Sequence, residues 1–228
     1  MKTQTFSIPL NTGDQVSAVL TTPEDPAVLH DQGIVIAHGA ANDMNNDLIR
    51  AVAQGLSEQG VACLRFNFLY RELGKNSVDP EHRLVHAWQE AVACLQTHTE
   101  CTGYIAMGKS LGARIAAQAT AAGDLSPDSL IFLGYPLHAP GKKEMLRDAP
   151  LRQINRPMLF FEGTRDPFCD LDQLESVFAT LTNRPELTVI DKGNHSFDLP
   201  KSDGRPMTDI YRTIVDRCTD WIKASPNF

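Results

Sequence analysis

Three side chains of this sequence, a serine, an aspartate and a histidine in chain order, have the chemistry of an activated nucleophile. Ser110 lies within Gly108-Lys-Ser-Leu-Gly112, which fits the pattern G-x-S-x-G, and Asp166 and His195 follow it. A serine hydroxyl is a weak nucleophile until a base takes its proton, and a third group must orient that base. We therefore interpret Ser110 as a nucleophile, His195 as its base and Asp166 as the group that orients the imidazole.

The segments on either side of Ser110 predict the strand, tight turn and helix that such a serine needs. Residues 104–107 form an apolar run of strand length, and residues 111–122 are rich in strong helix formers. In this turn the serine backbone is strained, and glycine on each side removes Cβ atoms that would collide with the strand and the helix. The N–H of Leu111, at the start of the helix, is then expected to donate to an oxyanion.

The same residues match a second pattern, the phosphate-binding loop G-x-x-x-x-G-K-S, between Gly103 and Ser110. In that loop the four variable residues form an open turn whose N–H groups face phosphate. Here they are Tyr-Ile-Ala-Met, which predict a strand. No convincing apolar strand that ends in a magnesium-binding aspartate follows. The sequence therefore favours the serine interpretation over nucleotide binding.

Both proposed partners of Ser110 follow predicted buried strands, at residues 157–162 and 187–190. The carboxyl ends of parallel strands share one edge of a sheet, where chemistry is usually found. Each residue also has a simpler interpretation, since Asp166 precedes a proline and favours a turn, and His195 could be a structural loop histidine. Asp170 and Asp172 compete with Asp166 but are better explained as caps of the following helix.

Alternating strands and helices predict an α/β fold with a mainly parallel, doubly wound sheet of about eight strands, an antiparallel start and flanking helices. The predicted strands cover residues 5–10, 15–21, 33–37, 61–68, 104–107, 129–134, 157–162 and 187–190. The predicted helices cover residues 46–59, 80–97, 111–122, 172–181 and 208–223. We expect one domain, 1–228, because this length suits a single α/β unit.

A second oxyanion donor is expected after the strand 33–37, in His38-Gly39-Ala40-Ala41. Small residues let backbone N–H groups approach a carbonyl oxygen, so the Ala40 or Ala41 N–H is the candidate. We interpret His38 as a packed structural histidine beneath this loop rather than as a catalytic residue.

With these motifs in place, the chain resembles the α/β-hydrolase superfamily and, within it, the small lid-less branch related to dienelactone hydrolase. The resemblance rests on six segments: His38-Gly-Ala, Phe66-Asn-Phe-Leu-Tyr-Arg71, Gly108-Lys-Ser-Leu-Gly-Ala-Arg114, Gly134-Tyr-Pro-Leu, Gly163-Thr-Arg-Asp-Pro-Phe168 and Gly193-Asn-His-Ser-Phe197. It implies a serine hydrolase fold and a set of predicted hydrolases that includes testis-expressed and chromatin-complex relatives, some thought to act chiefly as protein partners. Dienelactone hydrolase itself uses a cysteine nucleophile, so its substrate is not carried over to Ser110.

The interval 135–156 is too short for a substantial helical cap, so we predict an open, shallow site. Its predicted border is formed by Phe68, Tyr70, Tyr135, Leu137 and Phe168. Arg71, Lys109 and Lys142 are candidates to receive an anionic substrate group. The simpler alternative is that Arg71 pairs with Glu72 or Asp79 and that both lysines are solvated, as loop charges usually are.

The composition limits the remaining classes of function. The chain has 228 residues, a formal net charge of −7 and five scattered cysteines without a C-x-x-C pair. We therefore expect a cytoplasmic protein without a nucleic-acid or membrane partner. From the motifs we expect a small-molecule acyl substrate, no metal and no cofactor. Monomer and dimer both remain open. Two functions are kept: a serine hydrolase of small esters, thioesters or amides, and a hydrolase-fold interaction module with little or no activity.

Overall fold

The computed structural model describes residues 1–25 and 31–224, so residues 26–30 and 225–228 of the predicted domain 1–228 lie outside the described residues. The strands are β1 (Lys2–Pro9), β2 (Gln15–Thr22), β3 (Gln32–Ala37), β4 (Cys63–Phe66), β5 (Gly103–Lys109), β6 (Ser129–Leu133), β7 (Met158–Gly163) and β8 (Glu186–Ile190). The helices are α1 (Asp47–Glu58), α2 (Leu69–Glu72), α3 (Glu81–His98), α4 (Leu111–Ala122), α5 (Leu171–Phe178) and α6 (Met207–Ala224).

All eight strands form one sheet in the order β1-β2-β4-β3-β5-β6-β7-β8. The pairs β1–β2 and β2–β4 are antiparallel, and every pair from β4–β3 to β7–β8 is parallel. Because the helical crossovers cover both faces, the central strands are mostly apolar, and their charged residues are Arg65, Lys109 and Glu162. The predicted fold class, a mainly parallel doubly wound sheet with an antiparallel start, is confirmed.

The pleat of the central strands divides the core into two layers. In β3, Ile34 and Ile36 face a layer with α1 and α6, while Val35 and Ala37 face a layer with α3, α4 and α5. Successive strand residues point to opposite faces, so one apolar run serves both layers. The sheet is thereby packed between two helical layers.

Local signals set several helix ends. The Asn46 side chain accepts a hydrogen bond from the Leu48 N–H and caps α1, and Asp170 accepts one from the Gln173 N–H and caps α5. Gly123 ends α4 in the left-handed region, with a φ of 82°.

Two segments differ from the sequence prediction. β1 begins at Lys2 because it pairs with β2 along its whole length, although its exposed first residues carry no apolar pattern. The four-residue helix α2 occupies the start of a predicted loop. The predicted strand at residues 104–107 is confirmed, because these residues lie within β5, and Gly103–Lys109 is a strand and not a phosphate loop.

Between β6 and β7 the structure has only a short 3-10 helix, Leu151–Gln153, so among the described residues no large lid covers the carboxyl edge of the sheet. Across residues 1–25 and 31–224, none of the helices combines the length and the apolar character that a membrane crossing needs.

Candidate active site

Ser110 occupies a sharp turn between β5 and α4. Its φ of 52° and ψ of −106° lie outside the regions that side-chain-bearing residues favour, so the backbone is strained there. A Cβ on Gly108 would lie 2.2 Å from the Ala113 nitrogen, and one on Gly112 would lie 2.5 Å from the Ala37 oxygen. The glycines at both pattern positions are therefore required by the close approach of backbone to backbone.

We expect Gly108→Ala to reduce the free energy of unfolding by about 3 kcal/mol, because neither backbone segment beside its Cβ can give way cheaply. Urea unfolding measures the change. Gly123→Ala is the control, since its positive φ costs about 1 kcal/mol but nothing lies within 4 Å of the added Cβ. Equal losses in the two variants would contradict the steric explanation.

The side chains of Ser110, His195 and Asp166 form a continuous hydrogen-bonded relay. The Oγ of Ser110 lies 2.8 Å from Nε2 of His195, and Nδ1 of His195 lies 2.6 Å from Oδ2 of Asp166. The Asp166 side chain is fully buried, whereas the imidazole is 19% exposed. A carboxylate only accepts hydrogen bonds, so Nδ1 carries the proton and the lone pair of Nε2 faces the serine hydroxyl. This arrangement can accept a proton from Ser110.

The backbone and one ring hold this relay in place. Oδ1 of Asp166 accepts a hydrogen bond from the Phe168 N–H at 2.7 Å, so both carboxylate oxygens are engaged. The Phe168 ring lies 4.3 Å from the imidazole, centroid to centroid. Oδ1 of Asn194 accepts from the backbone N–H groups of Ser196 and Asp198, which closes the turn that carries His195. The imidazole is thus restrained at its ring, its Nδ1 and its backbone.

The predicted oxyanion donors lie around the same turn. Leu111 is the first residue of α4, where N–H groups have no partner within the helix. A Cβ on Gly39 would lie 3.4 Å from the Ser110 Cβ, so the 39–41 loop runs alongside the serine. The Tyr70 hydroxyl donates to the Ala40 carbonyl at 3.0 Å and braces this loop, and Ala40 and Ala41 are exposed.

His38 is fully buried beneath the loop. Its Nε2 accepts from the Phe68 N–H at 3.0 Å, so Nδ1 carries the proton and donates to the Gly39 carbonyl at 2.8 Å. Burial lowers the pKa of His38 from 6.5 to about 4, so the ring is neutral at physiological pH. It acts as a structural link between two loops.

The low pKa of His38 predicts a loss of stability in acid. Between pH 6.5 and 4 the unfolded chain binds a proton at this ring and the folded chain does not, so the free energy of unfolding falls as the pH falls. We expect the wild type to lose about 3 kcal/mol more than His38→Asn between pH 7 and pH 4. Urea unfolding at the two pH values measures this, and identical losses would contradict it.

Four predicted border residues are wrong as substrate contacts in this conformation. Phe68, Tyr70, Tyr135 and Leu137 are fully buried. Their loops turn these side chains into the core, where the Tyr135 hydroxyl donates to the Arg147 carbonyl and the ring packs on neighbouring phenylalanines. Only Phe168, half-buried against the imidazole, stands beside the relay as predicted.

The predicted anion receivers behave differently from one another. Lys109 is buried and donates to the His195 carbonyl, so it is neither solvated nor free to meet a substrate anion. Arg71 donates to the Lys75 carbonyl and to Oδ1 of Asn76, and its predicted pairing with Glu72 or Asp79 is not what the structure shows. Lys142 is exposed.

Sequence reasoning missed a buried pair of charged residues, Lys109 and Glu162, behind the relay. Oε1 of Glu162 accepts from the Tyr135 N–H at 2.6 Å. Burial, and then the nearby Asp166, raise the pKa of Glu162 well above its usual value, while burial lowers the pKa of Lys109 to about 8. The available signal was a charged residue at the end of each of two otherwise apolar strands.

No cluster of three or more His, Cys, Asp or Glu side chains within residues 1–25 and 31–224 is arranged to hold a metal ion, and the five cysteines are free thiols.

Solved structures share this fold. A serine hydrolase without a lid from Xanthomonas campestris matches with a TM-score of 0.73 and 19% identity, over 100% of this chain and 97% of that one. Est1E from Butyrivibrio proteoclasticus, solved with ferulic acid, matches with a TM-score of 0.76 and 17% identity, over 96% and 99%. A dienelactone hydrolase from Anabaena variabilis matches with a TM-score of 0.71 and 19% identity, over 98% and 99%. At such identities the likeness concerns the fold.

A family model described as an alpha/beta hydrolase domain matches residues 30–223 of the sequence. That match includes Ser110, Asp166 and His195, and it covers most of the chain. The chain therefore belongs to the α/β-hydrolase domain family.

Proposed function

We propose that this protein is a serine hydrolase that cleaves a small ester, thioester or amide through an acyl-enzyme. The observation that carries the proposal is the relay from Ser110 Oγ through His195 to Asp166, with distances of 2.8 and 2.6 Å. Both distances suit direct proton transfer between hydrogen-bonded groups. The relay also lies at the carboxyl edge of a parallel sheet, in a family of hydrolase domains.

In the proposed reaction, Ser110 Oγ attacks the substrate carbonyl while Nε2 of His195 takes the hydroxyl proton. The N–H of Leu111 and the N–H of Ala40 or Ala41 hold the oxygen that becomes negative. The imidazolium, paired with Asp166, then gives its proton to the leaving group, which departs as an alcohol, thiol or amine. A water molecule repeats the sequence on the acyl-enzyme and releases the acid.

The open carboxyl edge supports a small substrate rather than one that needs enclosure. Phe168 beside the imidazole offers an apolar surface for an acyl or leaving group. One of the similar structures is a dienelactone hydrolase, and a lactone is a cyclic ester. We therefore place carboxylic esters first among the candidate substrates, ahead of thioesters and amides.

One observation favours a second function, that of a hydrolase-fold interaction module. The resemblance to testis-expressed and chromatin-complex proteins suggests such a role. Large apolar side chains are exposed on loops, among them Leu73 at 50% and Met145 at 62%. Exposed apolar surface is typical of contact sites when it is contiguous.

As part of the hydrolase proposal, the protein is a single cytoplasmic domain with an acyl substrate. It has no nucleic-acid or membrane partner, which its formal net charge of −7 supports.

A panel of p-nitrophenyl esters of two to eight acyl carbons, with a matched thioester and anilide, distinguishes the two functions. The hydrolase proposal predicts turnover well above the uncatalysed rate, greatest for a short ester. Folded wild-type protein that hydrolyses no member of the panel would contradict it. In that case the interaction module becomes the better account.

A further inference from the structure

We propose that Lys109 is a positioning residue of this reaction, whose buried ammonium holds the backbone carbonyl of His195 and so sets the place of the base relative to Ser110. This inference rests on the proposed hydrolase function. Lys109 directly precedes the nucleophile Ser110 in the chain, and it is not a member of the relay of Ser110, His195 and Asp166.

The contact is direct and enclosed. Nζ of Lys109 lies 2.6 Å from the His195 carbonyl oxygen, and the residue is only 5% exposed. A Cβ on Gly134 would lie 3.0 Å from that Nζ and 3.5 Å from Nδ1 of His195. With its φ of 69°, Gly134 adopts a conformation that suits glycine and leaves room for both groups. A side chain at position 134 would therefore occupy the space that the ammonium and the imidazole need.

A packing role does not explain a lysine at this position. The residues before it in β5 are apolar, and methionine or leucine would fill the same volume without the cost of burying a charge. The ammonium is instead compensated by carboxyl groups near it, those of Asp166, Glu162 and Asp198. A charge that the fold compensates on several sides indicates a specific contact, and the hydrogen bond in place is the one to His195.

The carboxyl groups near Lys109 favour its charged form, which suits a fixed hydrogen bond to the His195 carbonyl. Burial and Asp166 raise the pKa of Glu162 well above its usual value, and Asp166 is the carboxyl group that most strongly favours the charged form of Lys109. Lys109 donates to a backbone oxygen and not to the imidazole, so it leaves the proton path from Ser110 to His195 unchanged. Its contribution is geometric.

The loop that carries His195 needs such an anchor because it is strained. Phe197 is fully buried with a φ of 65°, which is rare for a residue with a side chain. The ammonium lies 5.7 Å from the centre of the Phe197 ring, so one cation contacts the loop at two points. Because Lys109 and Ser110 are consecutive, the turn that positions the nucleophile also fixes the base.

The test compares Lys109→Met with Lys192→Met, a control on the same loop whose exposed ammonium pairs with Asp203 instead. For hydrolysis of a p-nitrophenyl ester we expect Lys109→Met to lower kcat about 10- to 100-fold with KM within about twofold, because small misplacements of a base are costly. The control should keep both constants. Lys109→Gln retains an N–H donor without the charge, so its kcat should fall less than that of Lys109→Met. It replaces Lys109→Met in the test if the methionine variant fails to fold.

A proton NMR signature makes the inference independent of turnover. The Nδ1 proton of His195, held between two atoms 2.6 Å apart, should give a far-downfield signal that is absent in His195→Ala. We expect that signal to broaden or disappear in folded Lys109→Met and to persist in Lys192→Met. If wild-type protein is inactive but the signal depends on Lys109, the proposed function fails and the positioning role stands. An unchanged signal with unchanged kcat in both Lys109 variants, or no such signal in the wild type, would overturn the inference.

Discussion

Ser110→Ala is expected to lower kcat for ester hydrolysis on the order of 10⁵-fold or more, because the variant lacks the hydroxyl oxygen that His195 is placed to activate. In serine hydrolases of other folds, loss of the nucleophile leaves a small residual rate from the oxyanion donors and from substrate binding. The structure predicts the same here, since the Leu111 N–H at the start of α4 does not depend on the side chain of Ser110.

The fold should tolerate this change, since alanine adds no atom to the turn. Steady-state kinetics with a chromogenic ester measure the loss, and a thermal melt within about 2 °C of wild type shows that the variant is folded. Ser176→Ala is the matched control, because its hydroxyl donates to the Asp172 carbonyl on the exposed side of α5. Comparable kcat in wild type and Ser110→Ala would place the chemistry at another residue.

Asp166→Asn is expected to lower kcat about 10⁴-fold while the protein remains folded. The carboxylate accepts from His195 Nδ1 and from the Phe168 N–H, so an amide can present its oxygen to only one of these donors. If the amide N–H₂ faces Nδ1, the imidazole must carry its proton on Nε2, and Ser110 then has no base. The expected loss therefore comes from the wrong tautomer and not from a collapsed site.

Asp170→Asn is the control for this second variant, because Asp170 is the nearby carboxylate that competes with Asp166 in the sequence. Asp170 caps α5 and pairs with Lys143, and asparagine is an equally good cap. We expect its kcat to stay within about twofold of wild type. If Asp170→Asn lost more activity than Asp166→Asn, the assignment of the orienting group would be wrong.

The sequence was sufficient for the fold and for the proximity of three distant side chains. Buried parallel strands produce continuous apolar runs, and their carboxyl ends lie along one edge, so residues that follow β5, β7 and β8 must meet there. The turn at Ser110 was also predictable, because its flanking glycines record backbone contacts that no Cβ would permit.

The direction of individual side chains was not predictable in the same way. Phe68, Tyr70 and Tyr135 follow strands and were expected to border an open site, but the path of each loop turns them into the core. Loop path depends on tertiary contacts such as the Tyr70–Ala40 and Tyr135–Arg147 hydrogen bonds, which no local pattern encodes.

The buried lysine was missed for a different physical reason. Charged residues next to turns are usually solvated, so the sequence alone favours a solvated Lys109. The structure buries the ammonium because the His195 carbonyl and nearby carboxyl groups compensate it, and these partners are distant in the chain. Compensation of that kind is visible only once the sheet edge is assembled.

The central claim, an activated serine at position 110, is tested most directly by covalent labelling with a fluorophosphonate followed by intact-mass and peptide mapping. The account predicts one adduct per wild-type chain, mapped to Ser110, with no labelling of Ser110→Ala and a greatly slowed rate for His195→Ala. Folded wild-type protein that stays unlabelled, or an adduct that maps to another residue, would contradict it.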